Sequence, residues 1–150
     1  MNEQLLQHLT ATDHRYACAF AEKIISESKE SHIWYPYFDD FASLLSHPNS
    51  LVRNRALYIL AANIQWDFGN RFDAIFAEYI SHVVDPKPIT ARQCVKALAQ
   101  IGVVKTQYIP QILECLEHAD LSQYKDSMRP LIEKDIAETK KRLIPFSMKK

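Results

Sequence analysis

One stretch recurs along this chain, and the recurrence limits the fold more than any other feature. Residues 48–64, PNSLVRNRALYILAANI, place a breaker first, then an arginine, then an apolar stripe at helical period. Related stretches carry Arg15 (HRYACAFAEKII), Arg92 (ARQCVKALAQIG) and Arg129 (MRPLIEKDI), so that with Arg53 the arginines stand 38, 39 and 37 residues apart. Three residues after each comes Cys18, Ala56, Val95 or Ile132. Six after comes Ala21, Ile59 or Leu98, and Asp135 in the last copy. A second series lies upstream: LLQH at 5–8, LLSH at 44–47, YISH at 79–82 and CLEH at 115–118. Two series in alternating order imply four helix–turn–helix units. One helical pair cannot bury its own apolar face, so neighbouring pairs must bury it for each other.

The spacing predicts eight helices. They cover about 2–10, 13–29, a stretch opening at Trp34, then 50–64, 70–83, 90–103, 107–118 and 127–143. The four pairs then span about 2–29, 34–64, 70–103 and 106–143 of one repeat domain over 1–150. Thr12 or Asp13, Thr90, and Asp126 or Ser127 are the expected N-caps of three second helices. Gly69 is the expected breaker of one turn, and Pro145 the expected end of the last helix. The connections are short, which favours antiparallel packing of consecutive helices.

Composition narrows the class. A chain of 150 residues is long enough for one domain with a core of its own. Two glycines are too few for a sheet built on tight turns or for a glycine-rich phosphate loop. Lysines plus arginines number 18, as do aspartates plus glutamates, so the basic excess of a dedicated nucleic-acid binder is missing. No apolar run is long enough to suggest a membrane span, and the first residues do not read as a secretory signal. Three cysteines with no C-x-x-C read as reduced thiols in a cytoplasmic protein.

The arginine motifs, ValArgAsnArgAla at 52–56 and AlaArgGlnCysVal at 91–95, resemble the HEAT/armadillo class of α-solenoids over nearly the whole chain. ArgGlnCys at 92–94 and TyrLysAspSerMetArgProLeuIleGluLysAspIle at 124–136 are similar to a group of small bacterial HEAT-like proteins. Some of those carry a SufBD-like label from iron–sulfur assembly, but no cluster-ligand spacing accompanies it here. The resemblance implies an all-α fold, a short α-α superhelix of about four helical pairs whose second helices line a concave surface. It also implies a structural role for Arg15, Arg53, Arg92 and Arg129, bonded to loop carboxylates and carbonyls. The other reading gives those arginines an acidic partner.

No residue set calls for a metal, a cofactor or catalysis. His8, His47, His82 and His118 each close the first helix of a pair, where imidazole suits the helix dipole. Equivalent positions of stacked pairs lie about 8–10 Å apart, far beyond a Zn–N bond of about 2.1 Å. Cys18 falls on a core face, with Cys94 and Cys115 beside one, as small buried thiols. Trp66-Asp67 is similar to the aromatic–aspartate pairing of HEAT-like DNA-repair glycosylases, but it falls in a turn. Asp39 and Asp40 are expected to be exposed, and they point about 100° apart on a helix.

The helical wheel leaves a row on the solvent side of the second helices: Tyr16, Phe20 and Lys23; then Asn54, Tyr58, Ala61 and Gln65; then Gln93, Ala97 and Gln100; then Lys134. Aromatics flanked by amides suit a protein contact, unless the N-terminal helix covers Tyr16 and Phe20. The expectation is a non-catalytic scaffold binding a protein or peptide through Tyr16, Phe20, Asn54, Tyr58, Gln93 and Lys134. The alternatives are a nucleic-acid-binding or DNA-repair module, and self-association into a homodimer.

Overall fold

The structure is a computed structural model that describes residues 1–147. Among these there is no strand, and eight α-helices follow in order: α1 (Glu3–Leu9), α2 (His14–Glu30), α3 (Phe38–Ser43), α4 (Ser50–Asn63), α5 (Phe76–Ser81), α6 (Pro88–Val104), α7 (Ile109–Glu117) and α8 (Arg129–Ser147). The helices α3 and α5 have six residues each and run on into 3₁₀ turns, Leu44–Ser46 and His82–Val84. Such turns take up polar groups that a short helix leaves unpaired at its ends.

Local chemistry sets the ends. The Asn2, Asp13 and Asn49 side chains accept from the N–H of Leu5, Tyr16 and Leu51 and so cap α1, α2 and α4. Thr90 caps nothing. The helix α6 starts earlier, with Pro88 in its first turn, and Thr90 is buried within it. The turn at 66–70 is also made differently from the expectation. Asn70, not Gly69, takes the left-handed conformation, at φ 56°, which a short amide side chain tolerates. The helix α8 passes through Pro145 and reaches Ser147. A proline this close to a helix end removes one backbone bond and disturbs little that follows. Residues 148–150 of the expected frayed tail lie outside the described residues.

The chain forms two compact units, Met1–Ile75 and Phe76–Lys150. In the first, α1 packs on α2, α3 packs on α4, and α2 lies against α4. Its core holds Leu9, Ile24, Phe38, Phe41, Leu57, Leu60 and Phe72. In the second, α7 and α6 both pack on α8 around Val95, Leu98, Ile101, Ile112, Ile132 and Leu143. Gly102 permits this closeness, because a Cβ there would stand 2.6 Å from the Leu143 side chain. Leu131 is exposed on α8.

Both units join consecutive second helices by buried polar bonds. In the first, the Asn63 amide of α4 donates to Ser28 Oγ of α2 at 3.0 Å. In the second, Arg92 of α6 donates to the Asp135 carboxylate of α8 at 2.7 Å, and Thr139 donates to the Val95 carbonyl at 3.1 Å. Asp135, which breaks the apolar pattern of the sequence, is 3% exposed and answers the repeat arginine of the preceding pair. Removing one member of such a pair strands the other. Arg92→Ala is expected to lower unfolding stability by about 3 kcal/mol in urea titrations. The double change Arg92→Leu with Asp135→Leu should recover most of that loss. Equal losses from the single and double variants would contradict a coupled pair.

Candidate functional site

An aromatic cluster stands on the first unit. Tyr16 and Phe20 are one helical turn apart on α2, with ring centroids 6.5 Å apart. His8, in the last turn of α1, stacks on Phe20 at 4.7 Å, and its Nδ1 lies 2.5 Å from the Tyr16 hydroxyl. Trp34 meets Phe20 edge-on at 6.4 Å and continues to Tyr37 at 5.9 Å. Its indole N–H donates to Glu27 at 2.9 Å, which fixes the ring from the α2 side. The N-terminal helix therefore covers part of this surface and leaves part open. Phe20 is half-buried under His8, while Tyr16 is 45% exposed and Ile33 nearby in the chain is 53% exposed.

The remaining expected contact residues are placed as follows. Asn54 and Tyr58 lie half-buried on α4, and neither is free of interactions. Ala61 and Ala97, expected on the solvent side, are buried, because α4 and α6 bury more of their circumference than the wheel allowed. Gln65 donates to the Ser28 carbonyl at the end of α2. On the second unit, Gln93 is half-buried on α6 with its amide oxygen unpaired, and Lys134 is exposed on α8. Tyr16 and Phe20 are thus joined in one cluster, whereas Gln93 and Lys134 belong to the other unit.

The repeat arginines divide. Arg53 donates to the His47 and Pro48 carbonyls at 2.9 and 3.1 Å, holding the turn before α4. Arg129 donates to the Tyr124 carbonyl and to Asp126. Arg92 pairs with Asp135 as described, and Arg15 is exposed. A residue that the repeat pattern did not mark, Arg55, is buried and donates to the Leu9 carbonyl at 2.9 Å, with His14 Nδ1 at 2.8 Å. Burial lowers its pKa, since desolvation disfavours the cation. Its one clue in the sequence is a charge inside an otherwise apolar helix.

The histidines keep their positions at helix ends but act differently from one another. His47 Nδ1 accepts from the Asn49 N–H, His82 Nδ1 lies 2.8 Å from Asp85, and His118 lies 3.2 Å from Glu114. Among the described residues no group of three or more His, Cys, Asp or Glu is placed to hold a metal ion. Cys94, not Cys18, is the fully buried thiol; Cys18 and Cys115 are half-buried. Asp40, expected to be exposed, is buried and accepts from the Asn2 N–H at 3.1 Å.

Trp66 and Asp67 are turn hardware. The Trp66 indole donates to the Ser28 carbonyl at 2.7 Å. Asp67, 2% exposed, accepts from the N–H groups of Arg71 and Phe72 and from the Tyr35 hydroxyl at 2.5 Å. Burial first, and then the Asp67 carboxylate, push the Tyr35 phenol up to about 12. Tyr124 donates to the Asp85 carbonyl at 2.5 Å, and burial first, then the Asp85 charge, push it likewise up to about 12. No helix among the described residues is long and apolar enough to cross a membrane. No protein-family model, no curated protein and no solved structure matches this chain.

The two phenols set an alkaline limit. An unfolded tyrosine ionises near pH 10, while these two hold their protons up to about 12. Between those values the unfolded chain releases protons that the folded chain keeps, so stability falls as pH rises through this window. Tyrosinate absorbance should show late ionisation that is lost one phenol at a time in Tyr35→Phe and Tyr124→Phe. An unchanged titration curve in both variants would rule it out.

Proposed function

We propose that this chain is a non-catalytic interaction scaffold that binds a partner protein or peptide through the aromatic cluster of its first unit. We further propose that its helical pairs belong to one short HEAT-like superhelix. The pairing of α2 with α4 and of α6 with α8, each second helix against the next, supports that arrangement. The observation that carries the binding proposal is the state of the rings. Tyr16 is exposed, yet it is already held by His8 and lies beside Phe20, which Trp34 meets edge-on. Aromatic side chains ordered before binding lose little entropy on contact and dominate interface energies. The buried carboxylates Asp40, Asp67 and Asp85, and His82 with them, are engaged in helix ends and turns, which supports binding rather than catalysis.

The test is site-specific crosslinking. A photoreactive phenylalanine analogue at Tyr16 should give discrete adducts in cell lysate, and the same probe at exposed Ile144 on α8 should not. Tyr16→Ala should then weaken the captured partner about tenfold or more, with unchanged circular dichroism. Adducts that are absent at both positions, or equal at both, would remove the proposal.

A further inference from the structure

A trough runs over the first helices of the second unit. Between α5 and α7 lies a depression of about 570 Å³ lined by Phe76, Ala77, Ile80, Pro110, Glu114 and Cys115. Beside it opens another of about 670 Å³, lined by Val84, His118, Ala119 and Asp120 and again by Glu114 and Cys115. The shared residues make the two depressions continuous. The helix α7 creates this surface by turning Ile109, Ile112 and Leu116 into the core and leaving Cys115 half-buried at its flank. Burial pushes the Cys115 thiol up, so it stays uncharged and adds to an apolar floor.

The charge around that floor has one sign. Glu114 and Asp120 line the trough, and among the described residues neither lining contains lysine or arginine. His118 is the one imidazole there, 3.2 Å from Glu114. The Ser122 N–H donates to Asp120 at 3.0 Å and holds its carboxyl below the usual range, so that charge persists. Glu117, also on α7, is answered within the chain by Lys140. Glu114 is 75% exposed.

We infer that this trough is a docking site for a lysine- or arginine-rich amphipathic helix of a partner protein. Apolar side chains at i, i+3 or i+4 and i+7 of such a helix fill successive depressions along a groove. Its cations then stand over Glu114 and Asp120, and complementary charge selects the partner and sets the approach. The same rim repels phosphate, which disfavours nucleic acid and anionic lipid. This site is separate from the Tyr16 cluster, and either can fail without the other.

The probe is a labelled model peptide of leucine and lysine with its leucines at helical period, compared with its leucine–glutamate counterpart. Fluorescence anisotropy with the full chain should show the lysine peptide binding about tenfold or more tightly than the glutamate one. Glu114→Lys with Asp120→Lys, both at exposed positions, should invert that order. Ala77→Arg, which fills the floor from α5, should abolish binding of either peptide. In a Cys18→Ser chain, bound peptide should slow alkylation of Cys115, and Tyr16→Ala should leave all of this unchanged. The inference is overturned if both peptides bind equally, if charge reversal changes nothing, or if Cys115 reacts at the same rate with peptide present. It is overturned too if light scattering gives a doubled mass that Ala77→Arg returns to a single chain, because a second copy then covers the trough.

Discussion

Polar groups that enter a contact between two helices are best placed in the one alignment where they are answered across it. That condition acts in both units of this protein. Apolar burial supplies the attraction, at about 25 cal/mol per Å², but it is indifferent to sliding one helix along another. A buried donor or acceptor left alone costs about 1–3 kcal/mol, and it is not indifferent. Asn63 with Ser28 in one unit, and Arg92 with Asp135 and Thr139 with Val95 in the other, therefore fix the register of consecutive second helices. A shift by one residue would strand several of these groups at once.

The same condition organises the turns. The C-terminal end of α2 leaves carbonyls without helical partners, and the Ser28 carbonyl is taken by Gln65 and Trp66 from the segment after α4. Asp67 then gathers the N–H groups of Arg71 and Phe72, and Tyr35 from the opening of the preceding pair. Asp85 does comparable work in the second unit, accepting from the Lys87 N–H while its carbonyl takes Tyr124. A buried aspartate with a phenol donating to it or to its carbonyl is thus used twice. An aromatic–aspartate pair in a turn is here a means of closing helix ends.

Much of the fold could be read directly from the sequence, because a helix repeats its apolar residues at a period that needs no knowledge of its neighbours. The four arginine stretches and the four LLQH-like stretches located all eight helices on that basis. What could not be read has a common cause. The pairing of Arg92 with Asp135 spans 43 residues, so Asp135 looked like a defect in its own helix until its partner was in view. Asp40 looked like a surface charge and Arg55 stood outside the repeat pattern for the same reason, yet one accepts from the Asn2 N–H at the start of α1 and the other binds the end of α1 at Leu9. Ala61 and Ala97 mark a different failure. A wheel assumes one buried face, and it misjudges helices such as α4, where little of the circumference stays open. At the candidate surface, the α2 aromatics were legible, but His8 and Trp34, which hold them, come from other elements.

The exposed rings of the first unit are held by these neighbours. An isolated tyrosine on a helix surface is mobile, and fixing it on binding costs entropy. Tyr16 is held by a hydrogen bond with His8 of a neighbouring helix, and Phe20 by stacking against His8 and an edge contact with Trp34. Trp34 is itself tied to Glu27, about two turns beyond Phe20 along α2. The chain of contacts begins and ends on α2 and passes through His8 of α1 and through Trp34 in the segment that follows α2, so each ring is held by a neighbour. Rings kept this still present a surface of fixed shape. In a fold whose interior is committed to holding helices in register, such a surface is what the proposed binding would use.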